Sequence, residues 1–218
     1  MRNGLFITFE GPDGSGKTTV AKALKTKLDS LIQAKSLLYT NVLLTREPGG
    51  SNNKLAEEIR HILLNHEELQ IPPITEAYLF AASRSAHVAQ TIKPALNANE
   101  IVLCDRYLDS SIVYQGYCRQ LGEDEVQQIN KYAVDGIYPD LIFFFDLDTE
   151  TCLSRIQGNN RENNRLDKED IKFHQQIVEF YKQHFANKKN VVTIDANRPL
   201  DDIVETCLKQ IITFNKVN

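Results

Sequence analysis

Residues 11–18 read Gly11-Pro12-Asp13-Gly14-Ser15-Gly16-Lys17-Thr18 and directly follow an apolar run at residues 5–9. The spacing G-x-x-x-x-G-K-T is that of a phosphate-binding P-loop. Its glycines let the backbone curl tightly and turn N–H groups inward, where phosphate oxygens can accept from them. Lys17 suits the outer phosphates, and the Thr18 hydroxyl suits magnesium. A chance glycine-rich turn is the alternative. The helical pattern after Thr19 and the strand before Gly11 favour a site that binds a nucleoside triphosphate.

The composition is that of an ordinary globular chain. Its 218 residues are 42% hydrophobic and 25% charged, with a net charge of −4. This acidic balance argues against a nucleic-acid or polybasic membrane surface. The first residues carry no signal-peptide pattern, and no apolar run approaches the roughly 18 residues of a membrane span. We therefore expect a cytoplasmic protein with no nucleic-acid and no membrane partner.

The four cysteines are scattered along the chain and form no C-x-x-C pair. Their even number permits disulfides, but in a P-loop protein we expect buried thiols in a reducing compartment.

Five short apolar runs predict strands at residues 5–9, 42–45, 101–104, 141–145 and 191–194. Helical patterns separate them, which is typical of βαβ units and of a parallel sheet covered on both faces. We find no repeat and no linker, so residues 1–218 are expected to form a single three-layer α/β domain.

Two of the helical patterns have predicted bounds. One runs from Glu123 to about residue 134. The other runs from about residue 168 to 185, with Ile171, His174 and Tyr181 facing inward.

Polar residues follow two of the predicted strands. The turn Arg46-Glu47-Pro48-Gly49-Gly50 follows the second, and Asp105 ends the third. Ligands bind at the carboxyl ends of strands in open α/β sheets. Asp105 has the position of a Walker B carboxylate, although it could instead cap a helix.

The stretch from Gln157 to Arg165 is the most polar part of the chain. It is either a solvated loop between helices or part of a mobile lid, at about residues 155–167, whose arginines close over the transferred phosphate.

Together these motifs resemble those of the thymidylate kinases, which transfer the γ-phosphoryl group of ATP to dTMP. The P-loop with Asp13 and the turn at residues 46–50 carry the resemblance together with three further segments. These are Phe80-Ala81-Ala82-Ser83-Arg84, Asp105-Arg106-Tyr107 with Ser110-Ser111, and Tyr114-Gln115-Gly116. The resemblance covers essentially the whole chain. It implies a P-loop nucleoside monophosphate kinase fold, ATP with Mg²⁺, direct in-line transfer to give dTDP and ADP for dTTP synthesis, and a homodimer.

The resemblance also implies roles around the acceptor phosphate and sugar. Arg46 and Arg106 would hold the 5′-phosphate, and forked guanidinium groups suit phosphate oxygens. Asp13 would reach the 3′-hydroxyl, and Tyr107 would lie beside the sugar C2′. Pro48 matches a proline that often follows a cis peptide bond. Glu47 either orients Arg46 or is only a turn residue.

For the base, Phe80 would stack on thymine, unless it is an ordinary core residue. Arg84 would donate to thymine O4, unless it is a surface arginine. Gln115 suits the edge around N3, and Ser111, beside Ser110, could add a polar contact.

Human- and yeast-type thymidylate kinases carry an arginine in the P-loop where this chain has Gly14. The chain therefore resembles the bacterial type, in which the lid supplies the catalytic arginine. Arg161 and Arg165 are the candidates, acting with Lys17 and Asp13, and Arg155 ranks below them as a residue that anchors the lid helix. Thr18 and Asp105 would bind magnesium, Asp105 through water.

Two rival functions remain from the residues. A deoxynucleoside kinase would leave Arg46 and Arg106 with less to bind. A nucleotide-dependent switch would need no acceptor; its guanine-reading form has an N-K-x-D motif, and Asn130-Lys131-Tyr132-Ala133 lacks the aspartate.

Overall fold

Five parallel strands form one sheet in the computed structural model, which describes residues 4–50, 52–66, 68–158, 165–166 and 169–217. They are β1 (Leu5–Glu10), β2 (Val42–Arg46), β3 (Ile101–Asp105), β4 (Leu141–Asp146) and β5 (Val191–Asp195). The spatial order is β2-β3-β1-β4-β5, and every pairing is parallel. The predicted five-stranded parallel sheet is confirmed.

Helices connect the strands. They are α1 (Lys17–Gln33), α2 (Lys54–Asn65), α3 (Pro73–His87), α4 (Lys93–Asn97), α5 (Leu108–Ser111), α6 (Glu123–Asn130), α7 (Thr149–Gly158), α8 (Ile171–Phe185) and α9 (Leu200–Val217). π-Helical turns at Val88–Ile92 and Ile112–Cys118 continue α3 and α5. None of the helices in the described part of the chain combines the length and apolar character that a membrane crossing requires.

Helices cover both faces of the sheet. Ile7 and Phe9 of β1 share a buried cluster with residues of α1 and α9, whereas Phe6 packs on the opposite face near Ile92. Side chains alternate between the two faces of a strand, so each face of β1 contributes to a separate apolar layer. This arrangement is the predicted three-layer α/β fold.

Each strand extends one residue beyond the apolar run that predicts it. The added residues are all charged: Glu10, Arg46, Asp105, Asp146 and Asp195. Because the strands are parallel, these residues all lie at the carboxyl ends of the strands, on the same side of the sheet. Arg46 lies opposite Asp105 in the register of β2 and β3. Backbone pairing therefore continues into the residues that begin the site.

Two predicted helix boundaries differ from the structure. Helix α6 ends at Asn130 and is followed by turns over residues 131–136, in which φ of 45° at Asp135 and 70° at Gly136 excludes a right-handed helix. Helix α8 begins only at Ile171, since the carboxylate of Asp170 accepts from the amide N–H of Phe173 at 2.8 Å and caps the helix. Ile171 is 60% exposed, so its predicted inward orientation is wrong.

Candidate active site

The P-loop passes from β1 to α1 in a conformation that its glycines permit. Gly11 has φ of 139° and Gly14 has φ of 80°, in a region that side chains rarely adopt. A Cβ at Gly11 would come within 2.6 Å of the carbonyl oxygen of Phe145, and one at Gly14 within 2.7 Å of that of Cys152. Neighbouring backbone therefore passes too close for any larger residue.

Lys17 lies inside this loop. Its ammonium group donates to the carbonyl oxygens of Gly11 at 2.9 Å and Pro12 at 2.7 Å, and to the Ser15 hydroxyl at 3.3 Å. Burial is the largest cause that lowers the pKa of Lys17 to about 8, and the nearby Arg106 guanidinium is the second. The loop thus holds a buried cation among oxygens that a triphosphate can replace as its partners.

Thr18 meets Asp105 beside the loop. The Thr18 hydroxyl donates to the Asp105 carboxylate and joins the start of α1 to the end of β3. Across the described residues, no group of three or more His, Cys, Asp or Glu side chains could hold a metal. Magnesium commonly takes only one or two protein oxygens and completes its shell with phosphate and water. This hydroxyl and carboxylate fit such an ion.

A cavity of about 150 Å³ opens next to the P-loop. It brings together the following residues that the sequence assigned to the acceptor or metal: Asp13, Thr18, Arg46, Pro48, Phe80, Arg84, Asp105, Arg106, Tyr107, Ser110, Ser111 and Gln115. The cavity is therefore bordered by the P-loop, by α3 and by the Ile112–Cys118 segment.

Arg106 connects the cavity to the P-loop. Its guanidinium donates to the Asp13 carboxylate at 2.9 Å, the Ser110 hydroxyl at 3.1 Å and the Tyr181 hydroxyl at 2.9 Å. It also lies over the ring of Tyr114, 5.2 Å from the centroid. These contacts fix the cation at the cavity wall.

Arg46 is held by Glu57 of α2, not by Glu47. Its Nη2 donates to both carboxylate oxygens of Glu57, at 3.0 and 2.9 Å. Glu47 is buried and accepts from Arg84 at 2.8 Å, and its other oxygen pairs with His87 at 3.0 Å. Neither sequence alternative for Glu47 describes this role. The bond between Glu47 and Pro48 is cis.

Arg84 is 2% exposed, so its alternative as a surface arginine is wrong. Besides Glu47, it donates to the Asn130 side chain, to the Tyr107 carbonyl oxygen at 3.0 Å and to the Ser111 hydroxyl at 3.1 Å. These contacts use four of the five N–H groups of a guanidinium. Arg84 lines the cavity with its orientation fixed by the protein.

Tyr107 has its side chain in the core. Its ring meets Phe6 edge-on at a centroid distance of 5.0 Å, and its hydroxyl donates to the carbonyl oxygen of Ile137 at 3.0 Å. Tyr114 instead directs its hydroxyl to the Asp13 carboxylate at 3.2 Å. The structure thus places Tyr114, which the sequence reading left without a role, beside Asp13 in the cavity.

Phe80 lines the cavity and is buried in the apolar cluster that includes Leu64 and Tyr114. Gln115 is also buried, and its amide nitrogen donates to Glu76 of α3 at 2.9 Å. An aromatic ring and an amide therefore border the same cavity as the P-loop carboxylate of Asp13.

A family model described as thymidylate kinase matches residues 9–207. The chain belongs to the thymidylate kinase family. It is 46% identical over 212 residues to a thymidylate kinase from Staphylococcus haemolyticus, covering 97% of this chain and 98% of that one. It is 47% identical over 204 residues to one from a Geobacillus species, with 92% of each chain covered. A thymidylate kinase from Staphylococcus epidermidis is 46% identical over 212 residues.

The lid arginines of this thymidylate kinase family member are only partly described. Arg161 lies outside the described residues, as does most of the expected lid. Arg165 donates to the carbonyl oxygen of Leu63 at 3.0 Å and pairs with Glu76. Arg155 donates to the carbonyl oxygens of Ala196 at 3.2 Å and Gly14 at 3.4 Å, which places it against the P-loop.

Glu10 is a further residue of the site, and the sequence analysis assigned it no role. Glu10 ends the apolar strand β1 and is fully buried. It accepts from the Tyr107 amide at 2.7 Å, the Ser110 hydroxyl at 2.6 Å and the Tyr181 hydroxyl at 3.2 Å. Burial, with the nearby Asp109 carboxylate, raises the pKa of Glu10 to about 7. An acidic residue closing an apolar strand was the available signal.

Proposed function

We propose that the P-loop and the adjoining cavity transfer the γ-phosphoryl group of ATP to dTMP, giving ADP and dTDP. This is the reaction that names the family to which the chain belongs. The observation that supports it most directly is the composition of the cavity. Guanidinium groups, a carboxylate of the P-loop, an aromatic ring and an amide all line this one cavity.

The donor half consists of residues 11–19. The backbone N–H groups of the loop and the start of α1 would bind the triphosphate, since the positive end of a helix favours anions. Lys17 would exchange its carbonyl partners for phosphate oxygens. Magnesium, held through Thr18 and Asp105, would supply positive charge to the donor phosphates during transfer.

The acceptor phosphate would lie between Arg46 and Arg106, which line the same cavity. Each guanidinium is already oriented by a carboxylate, Glu57 or Asp13. Asp13, which is partly exposed in the cavity, would also accept from the 3′-hydroxyl of the sugar. We assign the neighbouring sugar contact to Tyr114, because the Tyr107 hydroxyl is directed into the core.

For the base, Phe80 would provide the stacking surface, and base stacking on an aromatic ring is worth about 1–3 kcal/mol. Arg84 and Ser111 form one polar wall and Gln115 another. Donors facing a carbonyl favour thymine over cytosine, whose exocyclic amine cannot accept.

The transfer itself needs alignment and charge neutralisation more than covalent chemistry. The attacking phosphate oxygen of dTMP would be in line with the leaving oxygen of ADP. Lys17 would stabilise the transferred group, and Arg161 or Arg165 would join it when the lid at about residues 155–167 closes and excludes water. To do so, Arg165 would have to break its ion pair with Glu76 and bind phosphate instead.

Three broader assignments accompany this function. A single kinase domain over residues 1–218 is supported by packing of helices from across the chain on one sheet. A homodimer is supported by exposed apolar side chains on the paired helices α2 and α3, namely Leu55, Ile62 and Tyr78. A reducing, cytoplasmic location is supported by Cys104, Cys118, Cys152 and Cys207, which are all free thiols.

A separation of binding from transfer tests the two halves. Lys17→Ala should nearly abolish dTDP formation, measured by chromatography, while dTMP binding measured by calorimetry changes less than about threefold, because Lys17 belongs to the donor half. Near-normal turnover in Lys17→Ala, or no binding of dTMP to the unmodified protein, would contradict the assignment.

A further inference from the structure

The side-chain amide of Gln115 is buried, and within the described part of the chain only one of its two ends is hydrogen-bonded. The residue is 1% exposed, lines the cavity and lies in the π-helical turn Ile112–Cys118. Its Nε2 donates to Oε1 of Glu76 at 2.9 Å. Its Oε1 has no hydrogen-bond partner among the residues that the structure describes. A buried acceptor in this state is costly unless a ligand donates to it.

Glu76 determines which end of the Gln115 amide, nitrogen or oxygen, has no protein partner. This carboxylate is 1% exposed on α3, and it also pairs with Arg119 at 3.5 Å and with Arg165. The two guanidinium groups compensate its buried charge. A carboxylate offers only acceptors, so Gln115 must turn its NH₂ group towards Glu76 and its carbonyl oxygen away.

Glu76 lies on the same helix as Phe80, the residue on which the base would stack. Glu76 and Phe80 are four residues apart on α3 and so share one face of the helix. Phe80 lines the same cavity as Gln115. The Phe80 ring and the Gln115 side chain therefore border the same cavity, where a base stacked on the ring would come within reach of the amide.

We infer that Glu76 is a positioning residue that makes the site select thymine, by holding the Gln115 amide with its oxygen towards the N3–H of the base. Thymine carries a donor at N3, whereas cytosine carries an acceptor there. Cytosine would place two acceptors face to face and leave both unpaired. The inference rests on dTMP being the acceptor, and it adds a determinant that does not touch the nucleotide.

The substitution Glu76→Gln tests this directly because it preserves shape. The new amide has two orientations. The one that keeps its oxygen on Arg165 gives up only the 3.5 Å contact with Arg119, which retains Glu169, and its NH₂ then faces Gln115. Gln115 would have to rotate and present its own NH₂ group to the cavity. The ratio of kcat/KM for dTMP over dCMP should fall at least about tenfold, through a higher KM for dTMP and a lower KM for dCMP.

The double variant Glu76→Gln with Gln115→Glu restores the pairing with the two chemical groups exchanged. The amide at position 76 then donates to the carboxylate at position 115, whose second oxygen faces the cavity. The ratio should return to within about threefold of the unmodified value, as expected for coupled residues. Arg165→Gln is the matched control for the lost ion pair. It should lower kcat and leave the ratio unchanged.

Thermal unfolding of each variant separates selectivity from folding. If Glu76→Gln does not fold, the folded double variant decides, because the inference requires it to keep the dTMP preference. An unchanged ratio in folded Glu76→Gln, or equal losses for dTMP and dCMP, would overturn the inference. Absence of dTMP phosphorylation by the unmodified protein would instead overturn the proposed function.

Discussion

The guanidinium of Arg106 donates to the carboxylate of Asp13 at 2.9 Å, so the end of β3 is joined to the P-loop at the wall of the cavity. The pair stands between the loop that would bind ATP and the surface that would bind the acceptor. Its two members can each exchange this contact for one to nucleotide, because both are partly exposed, at 15% and 24% of their side chains. We therefore expect a substitution at either residue to affect the acceptor side of the cavity.

Asp13→Asn should weaken use of dTMP much more than use of ATP. The substitution removes the charge that orients Arg106 and accepts from Tyr114. Losing a hydrogen bond to a charged group costs about 1.5–3 kcal/mol, which corresponds to roughly 10–150-fold in kcat/KM for dTMP. Steady-state kinetics with each substrate varied would measure this. Asp29→Asn, at a surface pair with Lys25, is the control and should have no effect. Equal losses for ATP and dTMP would refute the assignment.

The two tyrosines should separate stability from substrate binding. Tyr107→Phe removes a hydroxyl that donates to Ile137 in the core and should lower the free energy of unfolding by about 1 kcal/mol. It should leave the KM for dTMP unchanged. Tyr114→Phe removes the hydroxyl beside Asp13 and should raise that KM about tenfold. Urea unfolding and kinetics on both variants would test the pair, and the reverse pattern would restore Tyr107 to the sugar.

Arg84→Ala should destabilise the fold by about 3–5 kcal/mol, because it leaves the buried carboxylate of Glu47 without its guanidinium partner. Arg198→Ala provides a control, since its pair with Asp202 is exposed and long at 3.8 Å. It should change the free energy of unfolding by less than about 0.5 kcal/mol. A small effect of Arg84→Ala on unfolding would show that the arginine serves the base alone.

Glu10 should make the fold less stable as pH rises from about 4.5 to about 7. Burial raises its folded-state pKa from 4.5 to about 7, so in this range the folded chain holds a proton that the unfolded chain has released. The unfolded state binds fewer protons, and the free energy of unfolding therefore falls with rising pH, by roughly 3 kcal/mol in all.

Glu10→Gln isolates that contribution from the other groups near it, which include Asp109 and Arg106. The difference in free energy of unfolding between variant and unmodified protein should grow across this pH range and level off above about pH 7. A difference independent of pH between 4.5 and 7 would contradict the prediction.

The sequence predicts the sheet and the donor loop because their signals are local. Apolar runs mark every strand, and the glycine spacing of the P-loop requires no distant residue to be recognised. The Arg84 alternatives show a limit of this approach. Its burial depends on Glu47 and Asn130, which come from other parts of the chain.

The role of Tyr107 beside the sugar follows from the resemblance and stays a prediction, although its hydroxyl donates to Ile137 in the core. Tyr114 lies in the π-helical turn Ile112–Cys118, where residues share a face at a wider spacing than in an α-helix. A periodicity of 3.6 residues therefore does not indicate that Tyr114 lines the cavity. The partner of Arg46 could not be predicted either, because Glu57 belongs to α2 and pairs with Arg46 across the turn at residues 46–50.

The central claim is that the acceptor is a thymine deoxynucleotide that already carries a 5′-phosphate. The most direct measurement is the rate of ADP formation from ATP and Mg²⁺ with dTMP, dUMP, dCMP, the ribose form of TMP or thymidine, and with no acceptor. We predict the highest kcat/KM for dTMP, discrimination of about 10–200-fold against dUMP, which lacks one methyl group, and little ADP without acceptor. Preference for thymidine, or ADP formation that needs no acceptor, would contradict the account.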